Sequence, residues 1–350
     1  MHATDNEQVL LGHNDAVRAL AYGTDPTLLL SGSESGEIFL WDLPSKTYEE
    51  LKSPQKGSSI RSLAISNNGQ WASAGNFNGQ VSLWDAPTQK FVNSWSMHRS
   101  VVYGLAYSAP QYALFSCGAD SLLVAYDLKG DSKPAKQIAK LGSKGLSLAV
   151  SNNGRFLACG TQSGKVVLID LNDELPQRSL SGTGAPVTAL AFDQQGNYLF
   201  IGCENGQIQV QPLKSREAPR LLRGHESAVR GLNLNPISDE LVSASLDGTI
   251  KIWAWKSAGN EPISIDRHQG WVWAAGFNPN GQQVASGSQD KTIRLWAANS
   301  EQMATGLCAR LKRNLTREEW EKYIGKDIPY QSTCSSLPSG ETATQSSRTP

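Results

Sequence analysis

The chain has 350 residues, 39% of them hydrophobic and 18% charged, and its 32 basic residues balance 32 acidic ones. A formal net charge of zero weighs against a dedicated nucleic-acid or anionic-membrane binder, which normally carries a basic footprint. No apolar run is long enough to span a bilayer, and the polar start MHATDNEQ does not read as a signal peptide.

Taken in chain order, Val9-Leu10-Leu11-Gly12-His13 comes first. It matches Arg220-Leu221-Leu222-Arg223-Gly224-His225, so it reads as a strand with no sheet of its own. A full unit follows. Residues Val17 to Tyr22, Leu28 to Gly32 and Ile38 to Trp41 read as strands, with turns at Gly23 to Pro26 and Ser35-Gly36. This unit recurs seven times at a spacing of 42 or 43 residues, ending at Trp41, Trp84, Tyr126, Ile169, Gln211, Trp253 and Trp296. Asn-Gly or Asp-Gly pairs mark hairpin turns at Asn68, Asn78, Asn153, Asn205, Asp247 and Asn280. After Trp296 the character changes. Thr316-Arg317-Glu318-Glu319 is a capping box that opens a helix over about 317–324, which Gly325 ends. Trp320, Tyr323 and Ile324 share one face of it. The Ser- and Thr-rich residues 339–350 read as a disordered tail. The organisation expected is a repeat domain over 1–300, an extension over 301–338 and that tail.

The residues carry a resemblance. GH near the start of a copy, S-x-S-x-D-G in its middle and W or WD at its end, repeated in register from residue 9 to about 300, resemble WD40 repeats. The resemblance implies an all-β, seven-bladed β-propeller with a short helical extension. It also implies that an N-terminal strand closes the ring, with Gln8 to Leu11 pairing with the blade that ends at Trp296.

His225, Ser243, Asp247 and Trp253 share one copy, and His268, Ser286, Asp290 and Trp296 recur at the same offsets. Ser, His and Asp out of context suggest a nucleophilic triad. Duplication in two copies favours a structural role instead. The resemblance implies a buried chain in which Asp binds His, His binds Ser and Ser binds the Trp N–H. The first copy keeps His13, Ser31 and Trp41 but has Ser35 where Asp is expected. The third has His98, Ser116, Asp120 and Tyr126, whereas the second, fourth and fifth lack the His and Asp. The sixth, seventh and first blades are therefore expected to be the most stable.

One position per copy resists a buried reading. It follows the first residue of each inner strand: Arg18, Arg61, Tyr103, Leu146, Thr188, Arg230 and Trp273. The resemblance places it on the top rim, facing the central opening. Two residues earlier lie Ala16, Ser59, Val101, Lys144, Pro186, Ala228 and Trp271, and before the turn Asp position lie Glu34, Phe77, Ala119, Gln162, Glu204, Leu246 and Gln289. Arg18, Arg61, Phe77, Tyr103, Arg230, Trp271 and Trp273 form the expected partner-binding set, because Trp, Tyr and Arg dominate binding hot spots. Their mix of guanidinium and ring suits an acidic or phosphorylated peptide.

Five cysteines show no CxxC or Cys/His metal spacing, and neither metal nor cofactor is called for. Cys117, Cys159 and Cys203 read as equivalent second-strand positions, and Cys308 and Cys334 as reduced thiols, which fits the cytoplasm. The stretch from Leu307 to Pro338 resembles tails that follow WD40 arrays in bacterial STAND-type NTPases with NACHT or NB-ARC modules, and in caspase-like proteins. That implies a sensor or docking role beside an effector in cis or on another chain, since no phosphate-binding loop is present. The reading is a non-catalytic, protein-binding scaffold or sensor of bacterial signalling or defence. The alternatives are an enzyme or ligand site in the central channel, and nucleic-acid binding.

Overall fold

The computed structural model describes residues 7–53, 58–130, 133–172, 177–215, 217–257, 261–298, 308, 311–323, 325, 329–332 and 334–338. Ile324 and the tail 339–350 lie outside the described residues. Among the described residues, twenty-eight strands form seven four-stranded antiparallel sheets. In the first, Val17–Tyr22, Leu28–Ser33, Ile38–Asp42 and Thr47–Glu50 pair in chain order. The inner strands of the next five are Ile60–Ile65, Val102–Ser108, Gly145–Val150, Val187–Phe192 and Val229–Leu234. The seventh holds Val272–Phe277, Gln283–Ser288 and Ile293–Ala297, and its outer strand is Glu7–Leu10 from the other end of the chain. The protein is a seven-bladed β-propeller closed by an N-terminal strand.

The sequence pattern follows from where each strand lies. Second strands are enclosed on both faces, as in Phe156–Thr161, where every residue is buried. Outer strands meet water, as in Thr47–Glu50, where every residue is exposed. Apolar clusters fill the seams between sheets. Leu10, Val17, Leu29 and Trp41 pack with Ala285, Ile293 and Leu295 at the closure. Each fully buried Leu there contributes about 1.5–3 kcal/mol. Lys291 Nζ donates to the Asn14 carbonyl at 2.9 Å across the same closure.

The hairpin glycines adopt positive φ, as at Gly206 (φ 80°) and Gly248 (φ 85°). At Gly206 a Cβ would lie 2.5 Å from the His225 carbonyl oxygen, so the turn needs glycine for space as well as for φ.

The cysteine reading needs two corrections. Cys117, Cys159 and Cys203 are not equivalent. Leu114, Leu157 and Leu199 face the blade-end residues Tyr126, Ile169 and Gln211. Counted from these, Cys159 takes the register of Ser116, Cys117 lies one residue beyond it and Cys203 two. All three are buried and unbridged. Cys308 and Cys334, by contrast, are joined in a disulfide with a Cα–Cα distance of 5.4 Å. The pairing removes the support that free thiols lent to a reducing compartment.

Contacts group residues 9–295 as one unit and residues 1–8 with 296–350 as a second. Within the second, Arg317–Tyr323 is helical. Thr316 and Glu319 cap it reciprocally: the Glu319 N–H donates to Thr316 Oγ1 at 3.1 Å, and the Thr316 N–H to Glu319 Oε2 at 2.9 Å. Trp320 is buried edge-on to Tyr330, with ring centres 5.5 Å apart. Buried Asn314 fixes Cys334, accepting from its N–H at 2.8 Å and donating to its carbonyl at 3.0 Å. That clamp holds Cys334 in place for the bridge.

Candidate functional site

The repeated polar residues form the expected chain inside the blades. In blade six, His225 lies 2.7 Å from both Asp247 and Ser243, and the Trp253 indole donates to Ser243 Oγ at 2.8 Å. With the His225 proton on Nδ1 the donors run one way: Trp N–H to Ser, Ser O–H to Nε2, Nδ1–H to Asp. In blade seven, His268 lies 2.8 Å from Asp290 and 2.7 Å from Ser286, and Trp296 is buried at the blade end. Burial raises the Asp247 carboxyl, but hydrogen bonds from His225 and Thr249 hold it well below the usual carboxylate range, and Asp290 is held likewise by His268 and Thr292. Thr249 and Thr292 are members of the set that the sequence pattern did not single out. Blade three ends the polar series on Tyr126, whose hydroxyl lies 2.9 Å from Ser116.

Blade one solves its missing Asp differently. Glu37, not Ser35, reaches His13 Nδ1 at 3.2 Å, while His13 Nε2 meets Ser31 at 2.6 Å. Glu37 occupies the register of Thr249, and its longer side chain makes up the offset. Burial raises the Glu37 carboxyl, yet bonds from Asn14, His13 and Ser35 bring it down to about 2. Burial pushes the His13 pKa down, with Glu37 opposing. These residues are enclosed and fully engaged in the fold.

The seven rim positions have a common cause. In every blade the pairing of inner and second strands shifts register at one residue: Arg18, Arg61, Tyr103, Leu146, Thr188, Arg230 or Trp273. Each is the extra residue of a β-bulge, which breaks the alternation and re-aims the side chain. All seven line one central cavity of about 760 Å³. The two flanking sets meet at the same end. In every blade the backbone N–H of the pre-turn residue donates to the carbonyl two residues before the bulge, from Glu34 to Ala16 through Gln289 to Trp271, at 2.8–3.0 Å. We call this end the top.

On the top, six side chains form an unbroken row across blades seven, one and two. Trp271 packs edge-on to Trp273 at 5.6 Å. The Arg18 guanidinium lies 3.6 Å over the Trp273 ring. Arg18 pairs with Glu34, whose other oxygen takes Arg61 at 2.7 Å, and Arg61 lies 5.5 Å over Phe77. The row ends in two exposed rings, Trp271 at 46% and Phe77 at 52%. Glu34 is its unexpected member, since the partner-binding set omitted it. It also changes the chemistry, because the protein's own carboxylate already occupies Arg18 and Arg61. Tyr103 and Arg230 line the cavity outside this row. Burial lowers the Arg230 pKa; Glu204 and Tyr103 oppose this, and Arg61 adds to it. Among the described residues, no cluster of three or more His, Cys, Asp or Glu is placed to hold a metal.

The family model for the WD domain, G-beta repeat (WD40) matches residues 5–42, 46–85, 174–210, 217–254 and 259–297, which is more than half of the protein. The chain belongs to the WD40 family. WD40 propellers are typically protein-interaction scaffolds. No curated protein matches it. Among solved structures it is similar to a chain of the "Crystal Structure of Mitotic Checkpoint Complex", with a TM-score of 0.74 and 23% identity over 84% of this chain and 92% of that one. At that identity the likeness is one of fold. The matched ranges pass over residues 86–173, which hold all of blade three and the first three strands of blade four, whose sheets nevertheless form. The match does not track the polar series: it covers blade five, which has none, and omits blade three, which has one. No helix among the described residues is long and apolar enough to cross a membrane.

Proposed function

We propose that this WD40 propeller is a non-catalytic scaffold that holds an extended peptide of a partner protein across the top of blades seven, one and two. One observation carries the reading: the row Trp271–Trp273–Arg18–Glu34–Arg61–Phe77, with a half-exposed ring at each end. Two large exposed aromatics on one rim are an unusual surface for a monomer, and they suit two apolar side chains of one ligand. The Arg18–Glu34–Arg61 bridge keeps the rings apart and stiff, so less is lost in ordering them on binding. Its internal pairing favours a peptide over a polyphosphate. Tyr103 and Arg230 extend the face into the channel. An effector module, in cis or on another chain, and a setting in bacterial signalling or defence belong to this reading through the resemblance of residues 307–338.

Peptide display tests it. Peptides selected on the wild-type protein should bind Trp271→Ala and Phe77→Ala at least about tenfold more weakly, roughly the effect of one hot-spot ring. The variants should keep the wild-type unfolding temperature. Equal binding to wild type and both variants would move the site off this face.

A further inference from the structure

The three cations at the channel mouth are not alike. Arg18 and Arg61 share Glu34. Arg230 has no hydrogen bond or ion pair among the described residues, and its guanidinium lies 5.5 Å over the Trp273 ring. Three donors at the mouth are enclosed by protein and meet no acceptor, Arg61 Nε, Arg230 Nε and Trp273 Nε1, but Arg61 already spends another N–H on Glu34. Buried donors are almost always matched, so a neighbouring pair left unmatched beside a cavity points to an acceptor that arrives with a ligand. Both side chains come from bulges of adjacent blades and line the same cavity.

We propose that Arg230 and Trp273 form an acceptor subsite that binds a single carboxylate of the peptide, with the guanidinium and the indole N–H both donating to it. The source of that carboxylate rests on the peptide-binding reading; the subsite itself does not. Charge selects the acceptor. Arg18, Arg61, Arg230 and Lys144 outnumber Glu34 and Glu204 on this rim, so charge favours an anion over a neutral acceptor, and a phosphate probe separates a carboxylate from a dianion. Arg230 stays charged despite its burial, because a guanidinium does not lose its proton in proteins. The subsite lies on the blade-six side of Trp273, away from Phe77, so an acidic residue would sit at one end of the bound segment.

The test uses the full-length protein labelled with ¹⁵N and reads the indole N–H resonances, with Trp273 assigned from Trp273→Phe. Four probes are titrated: N-acetyl-aspartate N-methylamide, its asparagine counterpart, N-acetyl-alanine and inorganic phosphate. The aspartate probe should move the Trp273 signal and the asparagine probe should not. N-acetyl-alanine moving it further than the aspartate probe would assign the subsite to the α-carboxylate at a peptide's C-terminus, still a carboxylate. Arg230→Gln should weaken the carboxylate effect at least about tenfold, in line with loss of a charge-assisted bond. If that variant misfolds, Arg230→Lys and the comparison of probes on the wild-type protein decide the matter. Phe77→Ala, which touches neither Arg230 nor Trp273, should weaken peptide capture yet leave the carboxylate shift intact, which separates failure of this subsite from failure of the peptide face. An unmoved Trp273 signal, equal shifts with asparagine and aspartate, or tighter binding of phosphate would overturn the proposal.

Discussion

Blades six and four share one four-stranded plan and opposite chemistry at its centre. In blade six, Ser243 stands between His225 and Trp253, and Asp247 ties the histidine to the hairpin. In blade four, Cys159 and Ile169 take the same registers, both fully buried, and Val166 and Leu168 fill the sheet around them. Both sheets close to the same pairing. The polar series is therefore not what makes a blade. It adds a cooperative network that fixes loop to hairpin, as where the Glu226 N–H donates to Asp247 at 3.1 Å. Such a network is strong when complete and costly when broken, whereas an apolar centre loses only what is removed.

Breaking the network should show the largest contrast. His225→Ala leaves Ser243 and Asp247 without their buried partner and opens a void. It is expected to cost about 3–5 kcal/mol in chemical denaturation, against about 1–2 for Cys159→Ala. Equal losses would end the distinction between the two blades.

Acid should attack the polar blades next. Asp247, Asp290 and Glu37 sit below their ordinary values in the folded protein, so the folded state binds fewer protons than the unfolded one at low pH. Their contribution is present above about pH 4–4.5, the unfolded carboxyl range, and is lost as pH falls further; for Glu37 the loss runs down through about pH 2 and is complete only below it. His13 adds an earlier loss below about pH 6.5, because burial keeps it neutral when folded. Thermal unfolding across this range should decline less steeply for Asp247→Asn than for wild type. Parallel curves would contradict the assignment.

A smaller effect should come from grafting one member alone. Cys159→Ser places a hydroxyl in the serine register of a blade without the histidine, and should destabilise by about 1–3 kcal/mol. A neutral result would mean that blade four already offers the hydroxyl a partner. Finest of all is hydrogen exchange. Amides of blades six, seven and one should exchange more slowly than those of blades four and five, and uniform protection would remove the link between polar network and local stability.

Much of this is legible from local chemistry. The fixed period, the turn pairs and the alternation specify seven sheets without reference to any contact. His225 and His268 can be assigned a structural role because each recurs with Ser, Asp and Trp at the same offsets. The seven rim positions stand out because their residue types do not suit a seam. The failures share a cause. Glu37 escapes notice because its register belongs to Thr249 and Thr292, and only side-chain length brings it to His13. Cys117, Cys159 and Cys203 look equivalent because a shift of one or two residues within a strand is hidden until pairing partners are known.

Strand number, ring closure and the polar network depend on residues near one another in sequence or repeated at one period, and such signals survive in a single sequence read alone. The row proposed to bind a partner does not. A bulge is a property of two paired strands, so the turning of Arg18, Arg230 and Trp273 into one cavity could not be read from their spacing. Glu34 pairs with Arg61 of the next blade, Arg18 stacks on Trp273 from the far end of the repeat, and Arg230 feels Glu204 without forming an ion pair among the described residues. Ring closure brings these groups together, and charge and burial at that meeting point then decide which cations remain available to a partner.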